Sequence, residues 1–567
     1  AGVYGGCNSS GTIAGDIIVD VLGGIIGASG AGNEANIHGG GYGAATQTSG
    51  DVTVNIGATS GGETPTYSGT AVIYGDVYGG SALGQVSASN NLTQVNFYKG
   101  TINGDVYGGG LGNNEIPAVV SGAVEVNIRG GVFNAADGTL GGGRIFGGNN
   151  ANGTPKGNVN VNIYATDHGT TPQTNMYPTA PEGGWTIAAL DENTALPQAY
   201  AISAVYGGGN KADYEPTSVT DYTEVIIEGC DETSIKEVYG GGYGAAVPAT
   251  QVKILGAYLI NEVFGGGYGA GANNDGANVG YYTYKNETDK TVYTGFTDND
   301  GNGKAQVKLY GGKVYTAYGG SNTKGNIRGG SSAGKATDIA ATCSLEVKNI
   351  YGAGKNADQD GGTDLVIGCI PGLENVYGGA KDANIKGGVN LVITGGDFVN
   401  VFGGNDTSGT IQGPIKVFIE EDCDAINITN LYLGGNQAAY SVYGYYKDTD
   451  GILQPRKSAT DTNPVADGTT APDATTHQYP DPQLYVTKFT KIDNVYGGGY
   501  GSGAVMYGNP TVNINEVKKK FADGIGEIGN VYGGGDAAKV EGNTTVNIGT
   551  GKYAMLYNIT ASETDVN

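Results

Sequence analysis

The run Asp298-Asn299-Asp300-Gly301-Asn302-Gly303 sets carboxylate and amide oxygens close together around a turn-permitting glycine. Oxygen ligands at that spacing suit a hard cation, so Asp298, Asp300 and Asn302 are the candidate calcium ligands and calcium is the one cofactor implied. The twelfth position is Leu309 rather than Glu, so the full EF-hand loop is absent. Asp358/Asp360 before Gly361-Gly362 and Asp448/Asp450 before Gly451 are weaker echoes. A polar turn is the plainer reading of all three, because Asp, Asn and Gly are turn formers.

A second candidate is a ladder of aromatic residues. Tyr78, Tyr107, Tyr206, Tyr239, Tyr377, Tyr496 and Tyr532 each follow a Val and precede a glycine pair. The residue before the Val is usually polar, as at Asp76, Asp105, Glu237 and Asn375. Strict alternation turns the Val inward and the Tyr outward, where the rings would stack on sugars of a glycan. Phe146, Phe264 and Phe402 take the same place, so the hydroxyl is dispensable, which favours packing in a corner or under an insertion.

Other chemistry finds little support. Only three histidines occur, His38, His168 and His477, and His38 replaces the Tyr of a repeat. No Asp or Glu pair recurs on one strand face, as polysaccharide hydrolysis would need. The Ser and Cys residues carry no nucleophile signature. No glycine-rich run continues as Gly-Lys-Ser/Thr, so no phosphate loop is present. Cys7, Cys230, Cys343, Cys369 and Cys423 are widely spaced without a CxxC, which excludes the usual zinc patterns. Cys230, Cys369 and Cys423 each follow an apolar strand and read as small buried thiols, with a disulfide between rungs left open.

These residues are held by a repeat. Val/Ile-Tyr/Phe-Gly-Gly stands at Val3, Val77, Val106, Ile145, Val205, Val238, Val263, Val376, Val401, Val495 and Val531. Looser copies lie at Ile37-His38-Gly39, Ala317-Tyr318-Gly319 and Ile350-Tyr351-Gly352. From Tyr377 to Phe402 and from Tyr239 to Phe264 the step is 25 positions; from Tyr78 to Tyr107 it is 29. Each unit holds three apolar runs of strand length separated by Gly-rich corners, and none has the capped periodicity of a helix. The spacing predicts an all-β fold, a right-handed single-stranded parallel β-helix with about three short strands per turn. Roughly fifteen turns stacked at about 4.8 Å give a rod about 70 Å long.

The most regular strand reads Val52-Thr53-Val54-Asn55-Ile56, Val124-Glu125-Val126-Asn127-Ile128 and Val159-Asn160-Val161-Asn162-Ile163. Val and Ile point inward and stack on their like, while Asn or Lys faces solvent. The corner glycines are expected at positive φ, with Asn149, Asn210, Asn405 and Asn436 in left-handed corners. Replacing Gly403 by Val should then be costly. The whole chain, 1–567, reads as one solenoid with insertions at 164–200, 269–304 and 437–490, the first holding Trp185, the single tryptophan.

The totals fit this frame. Glycine accounts for 106 of 567 residues, without a collagen period, and the formal net charge is −25. Such a surface repels nucleic acid and anionic membranes and favours cations and solubility. No apolar run is long enough to span a bilayer. The chain lies inside a repeat by Val3 and ends just after Val546-Asn547-Ile548, so a segment of a longer protein is expected.

The unit Val-Tyr-Gly-Gly-Gly followed by Thr-Val-Asn-Ile is best seen from Val531 to Ile548. It resembles Gly-rich repeat proteins of bacterial cell surfaces and is similar to β-helical adhesins and autotransporter passenger domains. The resemblance covers most of the chain outside the insertions, and its motif specifies architecture rather than chemistry. It implies export to the cell surface and a role as a stalk, adhesin or filament component. The partners so implied are glycans, host or cell-surface proteins, further segments of a longer chain, or other copies. The competing expectation is a carbohydrate-binding or polysaccharide-degrading β-helix.

Overall fold

The computed structural model describes the chain except at residues 1, 63, 89, 135–141, 168–185, 191–195, 198, 219, 230–232, 271–275, 285–289, 293–302, 330–334, 423, 449, 460, 462–478, 515–525 and 550–567. Each Val-x-Val-Asn-Ile segment pairs in parallel with its counterpart in the next unit. Val52, Val54 and Ile56 lie opposite Thr93, Val95 and Phe97, which lie opposite Val124, Val126 and Ile128. The ladder continues to Thr545–Ile548. The Val-Tyr segments form a second parallel ladder, in which Val77-Tyr78 sits between Ile37-His38 and Val106-Tyr107. Ala305–Tyr318 and Lys335–Tyr351 run unbroken through both ladders and join them into one 28-stranded sheet. The fold is a parallel β-solenoid.

The remaining side of the coil is thin. It holds a three-stranded sheet (Ser10–Ile13, Ala45–Thr48, Gln85–Val86) and continues as single bridges such as Val86–Val120–Pro155 and Gln359–Ile385–Ile411. Early units add a short step, Ile25–Ile26, Val72–Ile73, Thr101–Ile102 and Val132–Phe133. In later units this step fuses with the Val-Tyr strand, as in Ser234–Tyr239. The only helix among the described residues is the 3-10 turn Ile187–Ala189, and no helix there is long and apolar enough to cross a membrane.

Stacking like on like builds the core. Val54, Val95, Val126, Val161, Val225, Val252 and Val307 occupy one column and are fully buried. Burial removes each side chain from water only because the unit above and the unit below cover it.

Two expectations about polar residues change. The Asn residues of the first ladder do not simply face water, and Asn96 and Asn127 are buried. Their amides bond rung to rung: Asn96 Nδ2 donates to Asn55 Oδ1 at 2.9 Å, Asn127 to Asn96 at 3.0 Å and Asn162 to Asn127 at 3.0 Å. An amide carries both donor and acceptor, so identical residues in register satisfy each other. The corner asparagines are not left-handed; Ala277 and Cys369 are the only positive-φ residues besides glycine among those described. Asn149 instead accepts the Gly110 N–H at 3.1 Å and donates to the carbonyls of Ala118 and Asn152.

The motif glycines are also needed for a different reason than expected. Gly403 has no positive φ, but a Cβ there would sit 2.5 Å from the Leu433 carbonyl oxygen and 2.8 Å from a Val417 methyl. The corner of one turn presses its backbone onto the next, leaving room only for hydrogen.

The insertions return to the coil at defined places. Ile187, Leu190 and Tyr200 pack on Leu259 and Tyr315. Within 269–304, Val279 bridges Val247 and Ile327 in the coil, and Tyr281–Tyr284 pairs with Lys290–Val292 as a hairpin. Within 437–490, Tyr440–Ser441 and Gln483–Lys488 belong to the coil, and Tyr445–Lys447 with Leu453–Pro455 forms an antiparallel hairpin held to the coil by Tyr445 Oη, which donates to the Ile411 carbonyl at 3.1 Å. Trp185, His168 and His477 lie outside the described residues.

Candidate functional site

In the second ladder Val and the following ring point to opposite sides of the strand, as alternation requires. The ring does not reach solvent, because the Gly-Gly corner lets the chain fold back over it. Leu111, Tyr243 and Tyr268 pack against the rings, which form an apolar cluster separate from the aliphatic core. The glycan-facing expectation is therefore corrected: Tyr78, Tyr107, Tyr206, Tyr239 and Tyr377 are buried, and Tyr496 is partly buried. Tyr532, at 45% exposure, is the open member. The ring faces are already occupied by other rings.

The stack runs without a break through Tyr4, His38, Tyr78, Tyr107, Phe146, Tyr206, Tyr239, Phe264, Tyr318, Tyr351, Tyr377, Phe402, Tyr432, Tyr496 and Tyr532. Neighbouring centroids are 4.6–5.0 Å apart, and the planes diverge by no more than 14°. The spacing is set by the strand separation of the sheet beneath. His38 fits because its ring is flat; burial lowers its pKa to about 4, so it is neutral near pH 7.

Several phenols hold hydrogen-bonded carboxylates. Tyr78 Oη donates to Asp76 Oδ2 at 2.8 Å and accepts from Asn150 Nδ2 at 2.7 Å. Tyr239 Oη donates to Glu237 Oε2 at 3.0 Å and accepts from Asn322 Nδ2 at 2.7 Å. Tyr351 Oη donates to Asp406 Oδ2 at 2.8 Å. Burial, reinforced by these carboxylates, holds the three phenols protonated far above the ordinary range.

The calcium candidates Asp298, Asp300 and Asn302 lie outside the described residues. Among their echoes, the carboxylates of Asp358, Asp360 and Asp448 already have protein partners. Asp448 Oδ1 accepts the N–H groups of Asp450 and Ile452 at 3.0 and 2.9 Å, closing the antiparallel hairpin. Asp358 Oδ1 accepts the Asn384 N–H from the next rung at 2.8 Å. Among the described residues no group of three or more His, Cys, Asp or Glu is arranged to hold a metal.

Register also creates a neighbourhood that linear reading missed. Asp338 and Asp364 come from different strands but are paired on adjacent rungs, and Lys335 contacts the Asp364 carboxylate. Burial first, and then the Asp364 charge, raises the Asp338 pKa. The repeated Thr-Asp-Ile/Leu at Thr337 and Thr363 is the signal that places them in register. Farther along the rod, two adjoining open depressions of about 300 and 410 Å³ share Asp397 and Asn427. Cys369 borders the second; it is disulfide-bonded, the alternative that the sequence left open beside a buried thiol, while Cys7 is free. Cys230 and Cys423 and the side chain of Cys343 fall outside the description.

Asp213 gives a pH prediction. Burial raises its pKa from 3.8 to about 7, with Glu215 adding to the rise, while the Ala246 N–H bonded to Oδ1 at 2.7 Å opposes it. A carboxyl held protonated in the folded state stabilises most at low pH, and that contribution disappears as pH rises from about 4 to about 7. Asp213→Asn should therefore stabilise the protein at pH 8 and have little effect below pH 4, by about a few kcal/mol at the high end. Urea unfolding of both proteins across that range checks the sign.

Compared with protein-family models, with curated proteins and with solved structures, the chain matches none. The class defined by the coordinates is a parallel β-solenoid with an aromatic column along one side.

Proposed function

We propose that the chain is a rigid, non-enzymatic extracellular rod, serving as a surface stalk, adhesin or filament component. The observation that carries this reading is continuity. The aliphatic core and the ring stack pass from rung to rung through the insertions, and the amide ladder of Asn400, Asn430 and Asn494 crosses the third, so bending the rod would have to disrupt several columns at once. The disulfide at Cys369 supports an oxidising compartment outside the cytosol. The net charge of −25 keeps such a surface soluble and non-adherent to anionic polymers. Its partners on this reading are glycans or proteins of a cell surface.

The test is incubation of the purified protein with pectin-like and host-type polysaccharides, with and without calcium, followed by a reducing-end assay. No release of reducing ends is expected. Sustained turnover that scales with protein concentration would replace the rod with a carbohydrate-processing β-helix, and Asp338→Asn and Asp364→Asn would then be the first variants to assay.

A further inference from the structure

Four tyrosines flank the buried ring stack and meet it edge-on. Tyr42 is 47% exposed and lies 5.2 Å from Tyr4; Tyr500 is 44% exposed and lies 5.7 Å from Tyr432. Tyr243 and Tyr268 stack on each other at 4.9 Å and approach Tyr206 and Tyr239 at 5.7 and 6.0 Å. The column thus has side branches leading from solvent to its interior.

The order of rings within the column also matters. Phe146, Phe264, Phe402 and His38 are each flanked by tyrosines on both sides, so no two rings lacking a phenol are adjacent. Packing neither requires nor forbids that order, since Phe stacks at the same spacing as Tyr, and a path with a phenol at least at every second step can use it.

A phenol gives up an electron readily only when its proton leaves with it. Tyr78, Tyr239 and Tyr351 each donate a hydrogen bond to a carboxylate at 2.8–3.0 Å, a proton acceptor already in position. Asp536 lies close enough to Tyr432 to raise its pKa, after burial.

We propose that the aromatic column is a radical relay, which accepts one-electron oxidation at the flanking tyrosines and moves it along the rod. The oxidant class is a diffusing peroxyl-type radical. In the first step the peroxyl radical takes a hydrogen atom from the Tyr500 phenol, giving a hydroperoxide and the Tyr500 phenoxyl radical. Tyr432 then passes an electron to Tyr500, which recovers a proton from solvent, while the Tyr432 proton moves to the Asp536 carboxylate. Later hops run between phenols that donate to a carboxylate, such as Tyr351, Tyr239 and Tyr78, with the proton held on that carboxylate until the ring is reduced again and the rings between them passed over. The radical leaves at another exposed tyrosine by taking a hydrogen atom from a thiol-type reductant. This would spare a surface rod from oxidative damage confined to one site.

The experiment uses the full chain with tris(bipyridine)ruthenium and persulfate under flash illumination, read by electron paramagnetic resonance. The wild type should show a slowly decaying tyrosyl signal whose decay is slowed further in D2O. The quintuple variant Tyr42→Phe, Tyr243→Phe, Tyr268→Phe, Tyr500→Phe and Tyr532→Phe keeps every ring and every buried column tyrosine, and should lose the slow component. With Tyr42→Phe, Tyr243→Phe and Tyr268→Phe also in place, so that entry is left at Tyr500 and Tyr532, the changes Tyr432→Phe and Tyr496→Phe widen one gap to three phenol-free rings and should remove the oxidation products at Tyr377 and Tyr351 when peptides are mapped by mass spectrometry. Circular dichroism verifies the fold of each. A wild-type radical that decays as fast as that of free tyrosine, or a slow component that survives in the quintuple variant, overturns the relay.

Discussion

Gly403→Val should break the rod locally, with an expected loss of about 3 kcal/mol or more. A Cβ at Gly403 would lie 2.5 Å from the Leu433 carbonyl oxygen, 2.8 Å from a Val417 methyl and 3.1 Å from an Ile415 methyl. The first of these is backbone and cannot rotate away. Moving it would also disturb the 2.9 Å hydrogen bond from the Gly403 N–H to the Tyr432 carbonyl, which ties the same two rungs. Valine makes matters worse because its branched methyls have little χ1 freedom.

The neighbouring position supplies an internal control. A Cβ at Gly404 would meet the Gly435 nitrogen at 2.7 Å, whereas at Gly534, the same place in a later unit, nothing lies within 4 Å. Gly404→Ala should therefore destabilise and Gly534→Ala should be close to neutral. Hydrogen exchange is the right measurement, because a long repeat array need not unfold in one step. Loss of protection should centre on the rungs between Val376 and Tyr432. Unchanged protection there in Gly403→Val would show that the corners have slack which the coordinates deny.

The contrast between what the sequence announced and what it concealed follows from the kind of interaction involved. Alternation within Val52–Ile56 or Val159–Ile163 is a local property, so the inward set and the stacking of like on like could be read directly. The single coil and the approximate number of turns came from the repeat of Val-Tyr-Gly-Gly. What lies over the outward face of a strand is not local. The rings were placed on the correct side, but Leu111, Tyr243 and Tyr268 bury them from positions beyond the corner. Asn127 looked solvent-facing because its partners, Asn96 and Asn162, are 31 and 35 residues away. Asp338 and Asp364 were missed for the same reason, since a varying unit length hides register until the strands are paired. The glycines were recognised, and corner glycines such as Gly57 and Gly131 do take positive φ, but the cause was misassigned at Gly403 and the other motif positions. Positive φ is a property of one residue, whereas the contact that excludes a side chain at Gly403 belongs to the next turn.

Asn405→Leu should cost nearly as much as the Gly403 change, although it removes no apolar contact. Asn405 is 2% exposed and fastens three backbone groups at once. Its Oδ1 accepts the Ala380 N–H at 2.9 Å, and its Nδ2 donates to the carbonyls of Ala383 at 3.0 Å and Ser408 at 3.2 Å. Around Asn405 the thin side of the coil has only isolated bridges, so this side chain replaces the ladder that the other two sides possess. Leucine has similar bulk but leaves those groups without partners, and each buried unpaired group costs about 1–3 kcal/mol. A loss of about 3 kcal/mol or more is expected. Asn530 tests whether the penalty comes from burial, since it donates to Asn494 Oδ1 at 3.0 Å from an exposed position. Asn530→Ala should change stability by less than about 1 kcal/mol, because water can take the place of the lost partner. Asn149 repeats the Asn405 arrangement many turns away, so the Asn149→Leu and Asn405→Leu losses should add in the double variant. A double variant no less stable than either single one would mean that the thin side is held by something other than its corner amides.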